Sequence, residues 1–142
     1  YLKKDGQKIG EHNGAHHFTI GQRKGINIGG KKGPLFVIYT NTITNTVYVG
    51  MGINHPGLFR TTLKIQANAI HWLIQKKALK INEEGDFFIR IRHRQNLQKG
   101  FLKRKRDYLY IIFKRKQRGI AKGQFAAWYD QKKNLIGSGS IC

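Results

Sequence analysis

Residues 25–32, Gly-Ile-Asn-Ile-Gly-Gly-Lys-Lys, come within one letter of a nucleoside-triphosphate loop, G-x-x-x-x-G-K-[ST]. In such a loop glycines let backbone amides approach phosphate, the lysine neutralises it and a hydroxyl holds magnesium. Here Lys32 stands where the hydroxyl is required. The chemistry also needs a following helix whose N-terminus faces the phosphates. Pro34 and the run Leu-Phe-Val-Ile-Tyr-Thr, residues 35–40, predict a strand instead. Nucleotide hydrolysis at this loop is therefore rejected. Its glycines and cations, Arg23 and Lys24 among them, still suit a nucleic-acid backbone, because exposed amides and unhindered cations reach phosphate oxygens.

A second candidate is Phe-Phe-Ile-Arg-Ile-Arg-His-Arg-Gln, residues 87–95. As a strand, its alternation sends Arg90, Arg92 and Arg94 to one face about 7 Å apart, with Ile89, Ile91 and His93 on the other. Such a row suits a phosphate backbone, and the nearby acids, Asp86 and Asp107, are too few to neutralise it. Lys103 to Arg106 and Lys114 to Arg118 add charge around the aromatic run Asp-Tyr-Leu-Tyr-Ile-Ile-Phe-Lys. His12, His16 and His17 lie close together, but no cysteine and only Glu11 stand near them, a poor set for a metal. A structural or RNA-facing role suits them better. The sequence offers no Cys–His pair, no carboxylate dyad and no nucleophile between strand and helix.

The elements that must position these residues read as strands. Apolar residues alternate or come in short β-branched and aromatic runs between Gly, Asn and Lys. Residues 35–40 and 46–49 predict a hairpin turning at Asn41 to Asn45. Residues 62–73, 86–95 and 107–114 predict three further strand regions. Residues 123–141 predict a closing hairpin turning at Asp130 to Asn134, with Gly-Ser-Gly-Ser near its end read as a turn or bulge. Residues 10–25 allow a short helical turn. The expected fold is all-β, a small β-rich domain over residues 1–60 followed by an antiparallel β-barrel over 61–142, divided near Asn-His-Pro-Gly-Leu-Phe-Arg.

The 142 residues carry 27 Lys+Arg against 7 Asp+Glu, a net charge of +20. That exceeds what solubility needs and implies a polyanionic partner, nucleic acid before an anionic surface. Residues 1–61 hold a net +6 and residues 62–142 a net +14, so the second part is the stronger electrostatic surface. A lone cysteine, Cys142, allows no internal disulfide and fits a cytoplasmic protein. No apolar run approaches the roughly 20 residues of a membrane span, and residues 1–14 lack the apolar segment of a signal peptide. A start without Met suggests a fragment of a longer protein.

Four segments carry a resemblance: residues 10–30 with His-Phe-Thr-Ile-Gly-Gln-Arg-Lys-Gly, then Asn-His-Pro-Gly-Leu, Ile-Arg-His-Arg-Gln, and Gly-Gln-Phe-Ala-Ala-Trp-Tyr-Asp with Leu-Ile-Gly-Ser-Gly-Ser-Ile. In this order, over nearly the whole chain, they resemble the C-terminal part of the tRNA-specific 2-thiouridylases, sometimes named tRNA methyltransferases. The resemblance implies a longer enzyme whose N-terminal domain carries an SGGxDS loop and two catalytic cysteines, neither present in these 142 residues. That enzyme would activate the 2-carbonyl of the wobble uridine with ATP and magnesium. A persulfide sulfur, brought by a sulfur-donor protein, would then displace AMP. This chain alone would hold no cofactor and form no 2-thiouridine; its part would be to grip and position tRNA. The family's tRNA contacts, an Arg-Tyr pair and a Gln, fall on Arg92, His93 and Gln124, with His93 departing from the family's tyrosine. A competing expectation is a stand-alone basic β-barrel of the translation apparatus. A methyltransferase would need a methyl-donor site, and no Gly-rich loop joins a strand to a helix here.

Overall fold

The computed structural model describes residues 6–142, so the first five residues of the domain expected over 1–60 lie outside the described residues. The chain packs as two compact units, Tyr1–Phe59 and Arg60–Cys142. In the first, β1 (Leu35–Asn41) and β2 (Thr46–Met51) form an antiparallel hairpin. Asn41 Oδ1 accepts from the amides of Ile43 and Thr44, and Asn45 takes φ 52°, a conformation asparagine tolerates, so the turn falls where it was expected. Phe36, Ile38 and Leu58 form this unit's core. Leu58 is delivered by a 3-10 turn, Pro56–Leu58, in which Pro56 pre-sets the first position and His55 Nδ1 accepts from Gly57 N at 3.0 Å. The Thr-Ile-Gly-Gln stretch is stitched to β1: Gly21 N donates to Val37 O at 2.7 Å and Val37 N to Gln22 O at 2.9 Å. The only helical turn in residues 10–25 is a 3-10 turn at Ala15–His17.

The second unit is one curled antiparallel sheet forming a half-barrel. Its strands are β3 (Phe59–Gln66), β4 (Ile70–Trp72), β5 (Glu84–Arg90), β6 (Gln98–Arg104), β7 (Tyr108–Arg118), β8 (Phe125–Tyr129) and β9 (Leu135–Ser140), ordered β3-β7-β6-β5-β8-β9-β4. The edge strands β3 and β4 are consecutive in the chain, and Cys142 N donates to Lys64 O at 3.1 Å, tying the C-terminus to β3. Ile65, Ile89, Leu102, Leu109, Ile111, Trp128 and Ile136, all wholly buried, fill the concave side. The all-β expectation holds.

Three local expectations do not. The region 62–73 is two strands broken by a 3-10 turn at Ala67–Ala69. Strand β6 was not anticipated. Its cations Lys99, Lys103 and Arg104 read as a charge run, although Gly100 and Leu102 alternate inward. Gly-Ser-Gly-Ser is not a turn but part of strand β9, with Gly137 and Gly139 buried; the register slip opposite Trp128–Tyr129 falls between Leu135 and Gly137, so an irregularity touches only the motif's first residue.

The β8–β9 turn is built on Asp130. Its carboxylate accepts from the amides of Lys132 and Asn134, both at 2.9 Å, and pairs with Lys77 Nζ at 2.5 Å. The Lys77 ammonium first, and the Asn134 amide second, hold its pKa down from 3.8 to about 2. A depressed carboxylate contributes stability above its unfolded pKa and loses that contribution as pH falls through the folded value. Melting temperature should therefore drop between about pH 4 and pH 2, and Asp130→Asn should flatten that limb. Equal acid limbs in a calorimetric pH series would remove Asp130 as the cause.

Candidate nucleic-acid interface

The antiparallel register fixes where the charged residues go. Phe88 pairs with Lys99 on β6 and with Tyr129 on β8, and Gly100 pairs with Phe113 on β7. Beyond those pairs the β5–β6 turn, residues 91–97, and the β7–β8 connection, residues 119–124, share one end of the sheet. Residues 88–101 and 111–128 contribute nine Lys and Arg to this half and no acid. All five acids of the unit fall elsewhere: Glu83, Glu84 and Asp86 at the start of β5, Asp107 in the β6–β7 turn, and Asp130 in the β8–β9 turn. The half with no carboxylates has nothing of its own to neutralise it, so its field favours an external polyanion.

The arginine row does not exist as expected. Strand β5 ends at Arg90, because Gln95 Oε1 accepts from Ile91 N at 2.9 Å and Gln95 N donates to Arg92 O at 3.1 Å, folding residues 91–95 into a turn. Alternation cannot reveal a stop made by a side chain four residues ahead. Arg90 is half-buried; its guanidinium lies over the Tyr129 ring, 5.5 Å to the centroid, and donates to His93 O at 3.4 Å. Arg92, His93 and Arg94 are exposed on the turn. Arg92 reaches across to the neighbouring connection, donating to Arg118 O and to Gly119 O, the latter at 3.2 Å. One guanidinium thus fastens the two loops together.

Gln124 closes the same connection. It is half-buried, and its Oε1 accepts from Ala121 N at 3.2 Å. Its backbone carbonyl accepts from Ile141 N at 2.7 Å. Arg92 and Gln124, 32 positions apart in sequence, therefore act on the two ends of one loop. Beneath them lies a set that sequence reasoning missed. Buried Gln117 accepts from Gln95 Nε2 at 2.8 Å and donates to Arg115 O at 2.9 Å. The signal was present: Gln117 shares the inward parity of Leu109, Ile111 and Phe113 and is the one uncharged residue in Lys-Arg-Lys-Gln-Arg.

Arg23 and Lys24 belong to the first unit, exposed on the segment that Gln22 braces by accepting from Thr19 N and donating to Lys24 O. Arg23 lines an open cavity of about 500 Å³ with Gly25, Asn27, Gly30 and Lys31. Strand β1 follows it, as the residues after Pro34 predict, so no helix N-terminus faces the cavity. His12 Nδ1 accepts from Gly14 N at 3.0 Å and its ring meets Phe18 edge-on, a structural use.

Comparison with known proteins finds matches over nearly the whole chain. A family model described as the tRNA methyl transferase PRC-barrel domain matches residues 2–51, and one described as the aminomethyltransferase beta-barrel domain matches residues 62–141. The tRNA-specific 2-thiouridylase MnmA of Flavobacterium johnsoniae is 45% identical over 141 residues, covering 99% of this chain and 35% of the relative. That of Karelsulcia muelleri is 48% identical, with 99% and 36% covered. The trifunctional protein RibF/MnmA of Mycoplasmoides gallisepticum is 33% identical, with 99% and 21% covered. The chain thus spans about a third or less of the length of the curated relatives it matches.

Proposed function

This chain belongs to the tRNA-specific 2-thiouridylase family, matching the C-terminal part of its members, and on that premise we propose that it grips and positions tRNA for a catalytic portion outside these 142 residues. In that longer cytoplasmic protein, ATP and magnesium activate the wobble uridine and a sulfur-donor protein supplies the sulfur. The two compact units are its central and C-terminal domains. Arg92, His93, Gln124, Arg90 and Arg94 line the tRNA surface of the second unit, and Arg23 and Lys24 contribute one from the first.

One observation carries this reading: the nine cations and no acid gathered at the end of the half-barrel where Arg92 joins two loops. Arg92 offers a planar fork that can bridge phosphate. It also holds the Arg118 and Gly119 carbonyls, so it orders the neighbouring loop for the ligand. Gln124 keeps a side-chain amide donor for a nucleotide while its oxygen serves Ala121.

Arg92→Ala and Gln124→Ala are each expected to weaken tRNA binding by roughly 1–3 kcal/mol, the scale of a charged or well-placed hydrogen bond. Lys132→Ala, in the β8–β9 turn beside Asp130, is the control and should change little. A filter-binding titration reads all three, with circular dichroism melts to confirm that the sheet persists. Equal affinities for Arg92→Ala and Lys132→Ala would make the basic end a solvated face and sink the reading.

A further inference from the structure

Phe125 is 69% exposed, and among the described Phe, Tyr and Trp residues it is the most exposed, ahead of Tyr39 at 41%. It begins β8, directly after Gln124, with Ala126 and Trp128 of the same strand wholly buried beneath the sheet. Its neighbours on β8 and β9 are small: Ser140 stands opposite, and Ala127, paired with Ser138, comes next; Arg90, paired with Ala127 on the other side, lays its guanidinium over Tyr129. Tyr39, by contrast, rests against Tyr48 with centroids 5.7 Å apart. The isolated apolar residues Ile43, Ile53 and Ile81 are also exposed, but they are aliphatic and lie in connections. Single exposed apolar residues need no explanation. Phe125 differs in being a flat ring, fixed on a strand, at the end that gathers nine cations and no acid.

We propose that Phe125 is a stacking platform for an unpaired RNA base. The inference rests on the tRNA-binding reading and adds to it a second kind of contact. Cations hold the phosphates, and a ring holds a base face that has left the helix. Small neighbours are what such a site requires, because a large side chain at position 127 or 140 would cover the ring. A second copy of this chain is a poorer occupant, since two such basic ends repel.

The test uses the chain with a synthetic anticodon stem–loop and a fully paired duplex of the same length. Phe125→Ala should weaken stem–loop binding about 5- to 150-fold, the range of one base–aromatic stack, and leave duplex binding unchanged. Phe125→Trp should retain stem–loop affinity, and its added indole fluorescence should be quenched by the stem–loop. Phe125→Leu should weaken binding as alanine does, because it keeps apolar area without a π face. The slope of affinity against salt should be unchanged in Phe125→Ala, since no phosphate contact is lost. Wild-type binding of the stem–loop by Phe125→Ala overturns the proposal while leaving the tRNA reading intact. So does full retention in Phe125→Leu, or equal loss on stem–loop and duplex. Absence of any binding by the unaltered chain overturns both.

Discussion

Raising salt from 50 to 200 mM is expected to weaken tRNA binding by on the order of 10³-fold. The expectation comes from where the charge sits rather than from its total. A polyanion releases its condensed counterions when cations neutralise its phosphates, and affinity then falls as a power of salt set by the number of contacts. The basic end of the second unit offers nine Lys and Arg with no carboxylate among them. If about six reach phosphates, the logarithmic slope is near −5, which gives that loss over a fourfold rise in salt. The Debye length falls by about half over the same range, so weaker screened attraction of cations that touch no phosphate adds to the loss. Arg92→Ala should make the slope shallower by about one, and Lys132→Ala should leave it alone. An affinity that barely moves between the two salt concentrations would mean that phosphate contacts do not hold the complex.

The parts of the fold that were legible in sequence are those that obey a local rule. The β1–β2 turn follows from Asn41 and Asn45, whose side chains and backbone preferences make turns without help from elsewhere. The closing hairpin follows from Asp130, which binds amides two and four residues on. The family motifs gave Arg92 and Gln124 as candidates without saying that both bond to the β7–β8 connection. What was lost needed contacts distant in sequence. Period-two alternation continues to Arg94, so only the Gln95 side chain, reaching back to Ile91 N, shows that β5 has ended. Arg92 then turns toward Arg118 and Gly119, a partnership no spacing encodes. Strand β6 was hidden for another reason: outward cations on a half-buried strand have the composition of a loop.

Trp128→Ala is expected to destabilise the fold by about 3–5 kcal/mol, the cost of deleting a large buried aromatic. Since a domain of this size is stable by roughly 5–15 kcal/mol, that loss takes a large part of the total. Trp128 is wholly buried on β8 and meets Trp72 edge-on, with centroids 5.4 Å apart. The surrounding strands are shaped to it. A Cβ added at Gly137, opposite it on β9, would fall 2.7 Å from Trp128 Nε1 and 2.8 Å from His71 O. Gly137→Ala should therefore destabilise as well, typically by 1–3 kcal/mol for an overpacked core. The two losses should not add. With the indole gone, the new methyl still meets the His71 carbonyl but no longer the ring, so the double variant should be more stable than the sum of the singles predicts. Urea titrations of the three variants measure this coupling. Strict additivity would mean that the glycine is set by the His71 backbone alone. Function should follow the same strand, because β8 begins at Phe125, directly after Gln124. Trp128→Ala should weaken tRNA binding even under conditions where most molecules remain folded, and unaltered affinity there would show that the loops hold their geometry without the core beneath them.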